Sequence, residues 1–419
     1  MKLVLLILPV ILSAQLDYNG SIHPTGMLRS SDGSQISLPF RLVELKLGYT
    51  LGDFDLKTSN TLEYRWSTGK PEFDLREAYV IWYPSWGEVK LGKQIHAWGA
   101  VDGNNPTDNL NPYDYYYMFL PGSDRKIGVL STSFKYYADW WNFEAVVIPQ
   151  HSGNRIPFDE PDFPLSQATA TLDPRDHIVE VENTFELGIK WQINLDGGDL
   201  SVSGLTTSDR ILSLLAYDAN RGGVIPHFGY RKTQVVGLDG VTFYRSITFR
   251  GEAAYFTTTN PDGKYTQPLA SEAEYIQYAL QAEFSAPFDI AVSSQLLGSE
   301  ILQVDGATVN LATMTPTDLN EDNFSAGAGM PLAMIADRGF MLSLSRSFMD
   351  DILGLSGNTF YNLDTNSFML GGKIDYSFSE NLAVNFSFTQ FSGNENEPKD
   401  RFNDLEIFSH VQVSLKYSF

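Results

Sequence analysis

Side chains that alternate strictly between apolar and polar constrain this chain more than any other feature. From residue 179 to 195 the odd positions read Val, Val, Asn, Phe, Leu, Ile, Trp, Ile, Leu. The even positions are Glu180, Glu182, Thr184, Glu186, Gly188, Lys190, Gln192 and Asn194. A period of two sends these sets to opposite faces of one strand. One face suits lipid and the other suits water, as in a strand that crosses a membrane beside a wet lumen. The alternation returns over 54–66, 276–284, 382–389 and 406–419. Helical spacing appears over no comparable length.

The connections keep the same rhythm. Short turns near 51–53, 84–87, 137–139, 196–199, 244–246, 286–288, 349–351 and 379–381 alternate with longer polar stretches. Those stretches lie around 30–35, 67–73, 97–123, 149–178, 216–227, 259–272, 304–338, 362–367 and 392–404. Eight turns and nine loops imply about 18 strands, with 16 as the other even count that weaker patterning near 200–240 leaves open. The expected fold is all-β: a transmembrane, antiparallel, up-and-down β-barrel with short periplasmic turns and long extracellular loops.

Both ends of the chain fit export. Lys2, an apolar run over 3–12 and Ser13-Ala14-Gln15 read as a signal peptide over 1–14, cleaved after Ala14. That run is well short of the roughly 20 residues a spanning helix needs. The barrel is expected to occupy 15–419, with no N-terminal segment large enough for a plug. The last residues, Leu415-Lys416-Tyr417-Ser418-Phe419, resemble the C-terminal signal of outer-membrane barrels. The resemblance implies that the barrel assembly machinery is a partner through Phe419. With 51 acidic against 29 basic residues, a net charge of −22 argues against nucleic acid as a partner. Cysteine is absent, and a barrel closed by its own hydrogen bonds needs no disulfides.

One segment is more distinctive. Leu75-Arg76-Glu77-Ala78-Tyr79 is followed by Gly92-Lys93-Gln94, then Trp98-Gly99, and by the turn-rich Asn105-Pro106-Thr107-Asp108 and Asn111-Pro112-Tyr113-Asp114. These residues resemble the "LREAY", "GKQ…WG" and Asn-Pro-x-Asp signature of a largely uncharacterised group of porin-like outer-membrane proteins. The loop over 97–122 joins the fifth and sixth strands, and by resemblance to general porins, whose loop at that place enters the pore, it is expected to fold inward as a constriction, the alternative being a rigid, outward-facing tip. Proline fixes φ and Asn or Asp side chains bond nearby amides, so the loop should be compact either way. Its Asp102, Asn104, Asp108, Asn111 and Asp114 are oxygen donors that calcium accepts, but turn chemistry already explains them, and no metal or other cofactor is expected. Arg76 beside Glu77, and Lys93 between Leu91 and Ile95, break simple alternation and call for a bulge or for snorkelling at the membrane boundary.

Candidates for pore-lining or constriction are Glu63, Arg65, His96, Trp98, Asp102, Asn105, Asp108, Asn111, Asp114, Tyr115, Glu182, Glu186 and Arg250. Inward charges of both signs suggest a transverse field. Most clustered aromatics, such as Trp82-Tyr83 and Trp140-Trp141, read as interfacial girdles. The Tyr115–Tyr117 run reads either as girdle or as a stacking path. No Ser-centred elbow, HExxH or P-loop accompanies the six histidines, so no enzyme is expected. The expected function is passive diffusion of small hydrophilic solutes across the bacterial outer membrane. A selective conduit for hydrophobic compounds, an exporter of an extracellular polymer and a non-transport barrel are the alternatives. Outer-membrane lipid and lipopolysaccharide are expected partners, with a homotrimer as a candidate assembly.

Overall fold

The computed structural model describes residues 15–158, 160–163, 185–220, 223–261, 267–310, 313 and 315–419. The leader over 1–14 and Glu182 lie outside them. Eighteen strands, each antiparallel to its neighbours, close into a single barrel. They are β1 (Gln15–Ile22, resuming as Thr25–Arg29), β2 (Phe40–Leu51), β3 (Phe54–Tyr64), β4 (Pro71–Trp82), β5 (Gly87–Gln94) and β6 (Val129–Tyr137). Next come β7 (Trp141–Ile148), β8 (Glu186–Leu195), β9 (Gly198–Ser208), β10 (Lys232–Tyr244), β11 (Ile247–Thr259) and β12 (Ser271–Ala286). The wall is completed by β13 (Ile290–Asn310), β14 (Arg338–Phe348), β15 (Leu353–Asn362), β16 (Phe368–Ser377), β17 (Leu382–Ser392) and β18 (His410–Ser418).

Closure depends on the seam between β1 and β18. Ser21 lies opposite Ser418 and Thr25 opposite Ser414. Gly20 and Phe419 exchange backbone hydrogen bonds of 2.9 and 3.0 Å. Pro24, which has no N–H, interrupts β1, yet its carbonyl still accepts from the Leu415 N–H at 3.2 Å.

Alternation sorts the faces as expected. On β8, Leu187, Ile189, Trp191 and Leu195 stand exposed on the outer surface while Glu186 is buried inside. At the short-turn rim an aromatic ribbon links Phe54, Trp82, Trp86 and Phe134 across neighbouring strands, and then Tyr136, Trp141 and Trp191. The break at Arg76 is a bulge: Ser59 pairs with Glu77 and Asn60 with Leu75, leaving Arg76 as the extra residue. Lys93 donates to the Leu75 carbonyl at 2.5 Å and lies 3.8 Å from Asp74.

The long loops have structure that periodicity did not announce. Ser213–Asn220 pairs with Gly223–Gly229 on one side and Gln267–Pro268 on the other as a small separate sheet. Ile36, Leu38, Phe163, Leu332, Phe402 and Phe408 come from different loops and join one apolar cluster against wall residues Phe360 and Phe391. A second cluster sets Trp98 and Leu110 against Val146, Leu205 and Phe256.

A Cβ on Gly20 would lie 2.7 Å from the Glu44 carbonyl oxygen and 2.7 Å from the Phe419 ring, whereas one on Gly26 meets nothing within 4 Å. Gly20→Val should therefore cost about 1–3 kcal/mol of overpacking at the seam. On an unboiled gel it should lose the compact, heat-modifiable band that Gly26→Val retains. Equal retention of that band by both variants would contradict this account of the seam.

Candidate functional site

The loop between β5 and β6 crosses the interior. Its root is tied by Asn111, which is fully buried: its Oδ1 accepts from the His96 N–H at 2.7 Å. Its Nδ2 donates to the carbonyls of Gln94 and Ile127 at 3.0 and 2.9 Å. The chain then turns at Gly99, where φ is +93° and a Cβ would lie 2.5 Å from Glu252. Only glycine fits that backbone and that approach.

Glu252, on β11 across the barrel, receives the loop. Its Oε1 accepts from the N–H groups of Ala100 and Val101 at 2.5 and 2.6 Å and from Asn105 Nδ2 at 2.8 Å. Its Oε2 accepts from Thr107 Oγ1 at 2.8 Å. Beyond this cradle, Asp102 donates its N–H to Gln281 Oε1 at 2.7 Å, and Gln295 Nε2 donates to the Asp102 carbonyl at 3.0 Å. Asn104 Nδ2 donates to Gln295 Oε1 at 3.0 Å. Arg250 donates to the Ala100 carbonyl at 3.0 Å and pairs with Glu283 at 3.2 Å.

The return limb is held by charge. Arg155 bonds both Glu63 and Asp114 at 3.0 Å, while Tyr117 donates its hydroxyl to Glu63 at 2.9 Å beneath the Arg41 guanidinium. Burial raises the Asp114 carboxyl to about 6, with Arg155 pulling the other way. Bulged Arg76 donates to the Ser123 carbonyl at 2.9 Å, and Glu77 accepts the Ile95 N–H at 2.9 Å. Lys126 pairs with Asp108 and donates to the His96 carbonyl at 2.7 Å.

Below the loop lies a cavity of about 1240 Å³. It reaches from Asp102–Asn104 and Tyr116–Leu120 down to Ser246 in a short turn. On the β14–β17 wall Ser343, Ser345, Ser356 and Ser387 line it, together with Met341, Phe360, Met369 and Phe391. Lys373 and Lys416 line it on β16 and β18, and Asp102 and Glu283 on the loop and β12.

The expected site residues divide sharply. Asp102 is exposed and borders the cavity. Asn105, Asp108, Asn111 and Asp114 build the loop's own bonds instead, and their oxygens do not converge on one point. Trp98 and Tyr115, expected at the lumen, sit in the two apolar clusters because the loop folds over them. Tyr116 and Tyr117 line the cavity rather than an outer girdle. Glu63 is buried under Tyr117 and Arg155, and Arg65 pairs with Glu160 at 2.7 Å. Glu186 is buried against Arg210 at 2.7 Å and His151 at 2.6 Å, and Arg210 also donates to the Asn109 and Leu110 carbonyls. His96 bonds Ser131 Oγ at 3.0 Å. Glu252, Gln281, Gln295, Arg155 and Arg210, which hold the loop, are absent from the expected set. The nearest signal was an amide, rather than a charge, at inward positions 277, 281 and 295.

No protein-family description and no curated protein matches the chain. Among solved structures it is similar to OccK5 (OpdH) of Pseudomonas aeruginosa, 12% identical over 97% of this chain and 98% of that one, with a TM-score of 0.52. OccK2 (OpdF) of that organism, solved in complex with glucuronate, aligns over 97% of each chain at 10% identity and a TM-score of 0.52. OccK9 (OpdG), also from P. aeruginosa, covers 98% of both at 11% identity and a TM-score of 0.51. At these identities the likeness is one of fold. With the apolar outer belt, it sets the chain in the bacterial outer membrane as a β-barrel.

Burial and the nearby Lys126 charge lower the His96 pKa from 6.5 to about 3. Between those values the folded chain binds fewer protons than the unfolded one. Stability should therefore fall as pH drops from 6.5, by up to ~1.4 kcal/mol per unit. Urea midpoints at about pH 7 and about pH 4.5 should show this loss in the parent chain and a smaller one in His96→Gln. Parallel losses would mean that His96 is not held neutral.

Proposed function

We propose that this barrel is a channel for passive diffusion of small hydrophilic solutes, with the loop over 95–128 as its constriction. The observation that carries the reading is the cavity of about 1240 Å³ running from that loop to the short turn at Ser246. Serine hydroxyls on its wall offer donors and acceptors to a solute that has shed part of its water. Charged residues of both signs line the cavity, among them Lys373, Lys416, Asp102 and Glu283, and charges set apart in this way would orient a dipolar solute.

The sequence signature supports the same reading. Arg76 and Glu77 of its "LREAY" strand, Gln94 of its "GKQ" strand and Gly99 after Trp98 all hold the inward loop. We propose that the chain belongs with the porin-like group that the signature resembles. A second reading, passage of hydrophobic compounds, draws on Phe119 and Leu120, which are exposed and border the cavity.

Glu252 offers the direct test. Glu252→Ala removes a carboxylate that accepts from Ala100, Val101, Asn105 and Thr107, each such charge-assisted bond being worth about 1.5–3 kcal/mol. In planar bilayers the parent barrel should give small, uniform conductance steps, and the variant larger and noisier ones. Absence of any current from both proteins, inserted and folded, would defeat the channel reading. Identical steps from the two would defeat the loop's role.

A further inference from the structure

Strand register lays four inward side chains side by side. Met341 on β14 lies opposite Phe360 on β15, Phe360 opposite Met369 on β16, and Met369 opposite Phe391 on β17. A water-filled lumen calls for polar groups at such positions. Towards the short turns the wall supplies them: the next inward row is Ser343, Asn358, Gly371 and Thr389, and the one after is Ser345, Ser356, Lys373 and Ser387. One apolar row therefore sits above two polar ones.

Loops cover part of this row and leave part of it facing the cavity. Phe402 stacks on Phe360 at 5.8 Å and 8°, and Phe119 from the constriction loop leans on Phe391 at 5.7 Å. Phe360 and Phe391 are thereby buried, whereas Met341 and Met369 are half-buried, Phe119 is exposed, and all three line the cavity. Continuing round the wall, the register carries the same level from Met341 to Gln295 and Gln281, the amides that hold the loop tip.

We infer that Met341, Met369 and Phe119 form a binding face for the apolar body of a small amphipathic solute, whose hydrogen-bonding groups meet the polar rows beneath. Thioether side chains are unbranched and polarisable, so they adapt to the outline of a ring or a short hydrocarbon and make favourable contacts with aromatic edges. A sugar on this face would leave its hydroxyls without partners, which is costly away from water. The cavity, at about 1240 Å³, is larger than one such molecule, so binding at its wall leaves room for passage. The inference deepens the channel reading and rests on it for passage, though not for binding.

The test uses the full barrel carrying ¹³C-labelled methionine methyl groups, in micelles, with 1-naphthol as the probe and glucose as the polar control. Naphthol should shift the Met341 and Met369 methyl resonances saturably. Met349 in the short turn, 64% exposed and away from this row, reports non-specific contact and should lack that saturable response. Met369→Ser and Met341→Ser should each weaken binding roughly tenfold, as expected for removing most of a buried apolar contact. Because the shifts are read on the parent chain, the inference stays testable if a variant fails to fold. Shifts confined to Met349, or the same shifts with glucose, would overturn it. In bilayers, conduction without naphthol binding would reject the inference alone. Binding without conduction would sustain the inference for binding while rejecting the channel.

Discussion

Every backbone N–H and C=O within the hydrocarbon of a bilayer must find a partner in the protein itself, because no water is there to substitute. For a chain of strands the only complete solution is a closed cylinder. All else in this molecule follows from the seam at which Gly20 and Phe419 exchange their hydrogen bonds. Once the wall is closed, its outer face has little freedom. The inner face has a great deal, because polar, charged and even apolar residues can all be accommodated if neighbours satisfy them. The chemistry of the barrel is therefore written on inward positions, whose side chains are tied by the wall only through register.

That division explains what could be read from the chain beforehand. Outward residues such as Leu187, Ile189 and Trp191 answer to lipid, a uniform partner, so their pattern is legible locally. Turns such as Gly52-Asp53 are equally local. Glu252 is different. Its partners Ala100, Val101 and Asn105 stand far from it in sequence, and nothing beside Glu252 announces them. Likewise the row from Met341 to Phe391 exists only once four strands have been placed in register. Each of its members alone looks like an ordinary apolar residue near a strand end.

Turn chemistry foretold a compact loop between β5 and β6, but not which residues would be spent in making it so. Asn111 and Asp108 looked like lumen groups because they are polar and near a constriction. They are consumed by His96, Gln94 and Lys126 because a loop crossing a barrel carries its own backbone into a confined space, where each unpaired amide is expensive. Asp102, which does border the cavity, meets the same requirement, its N–H and carbonyl being paired with Gln281 and Gln295.

The break at Arg76 follows from the same constraint. A strand that kept perfect alternation could not send both Arg76 and Glu77 to the inner face. Inserting one residue into β4 does so, and both then grip the loop, Arg76 through the Ser123 carbonyl and Glu77 through the Ile95 amide. The bulge thus exchanges a small loss of ladder regularity for two charge-assisted bonds at the two ends of one loop. A loop fastened at its root by β4 and at its crossing by β11 cannot swing as a flap without breaking several such bonds together. What remains adjustable is the short apolar tip over Phe119 and Leu120, whose side chains are exposed to the cavity and held by packing alone. The lining at this level is therefore set by that segment and by the wall facing it.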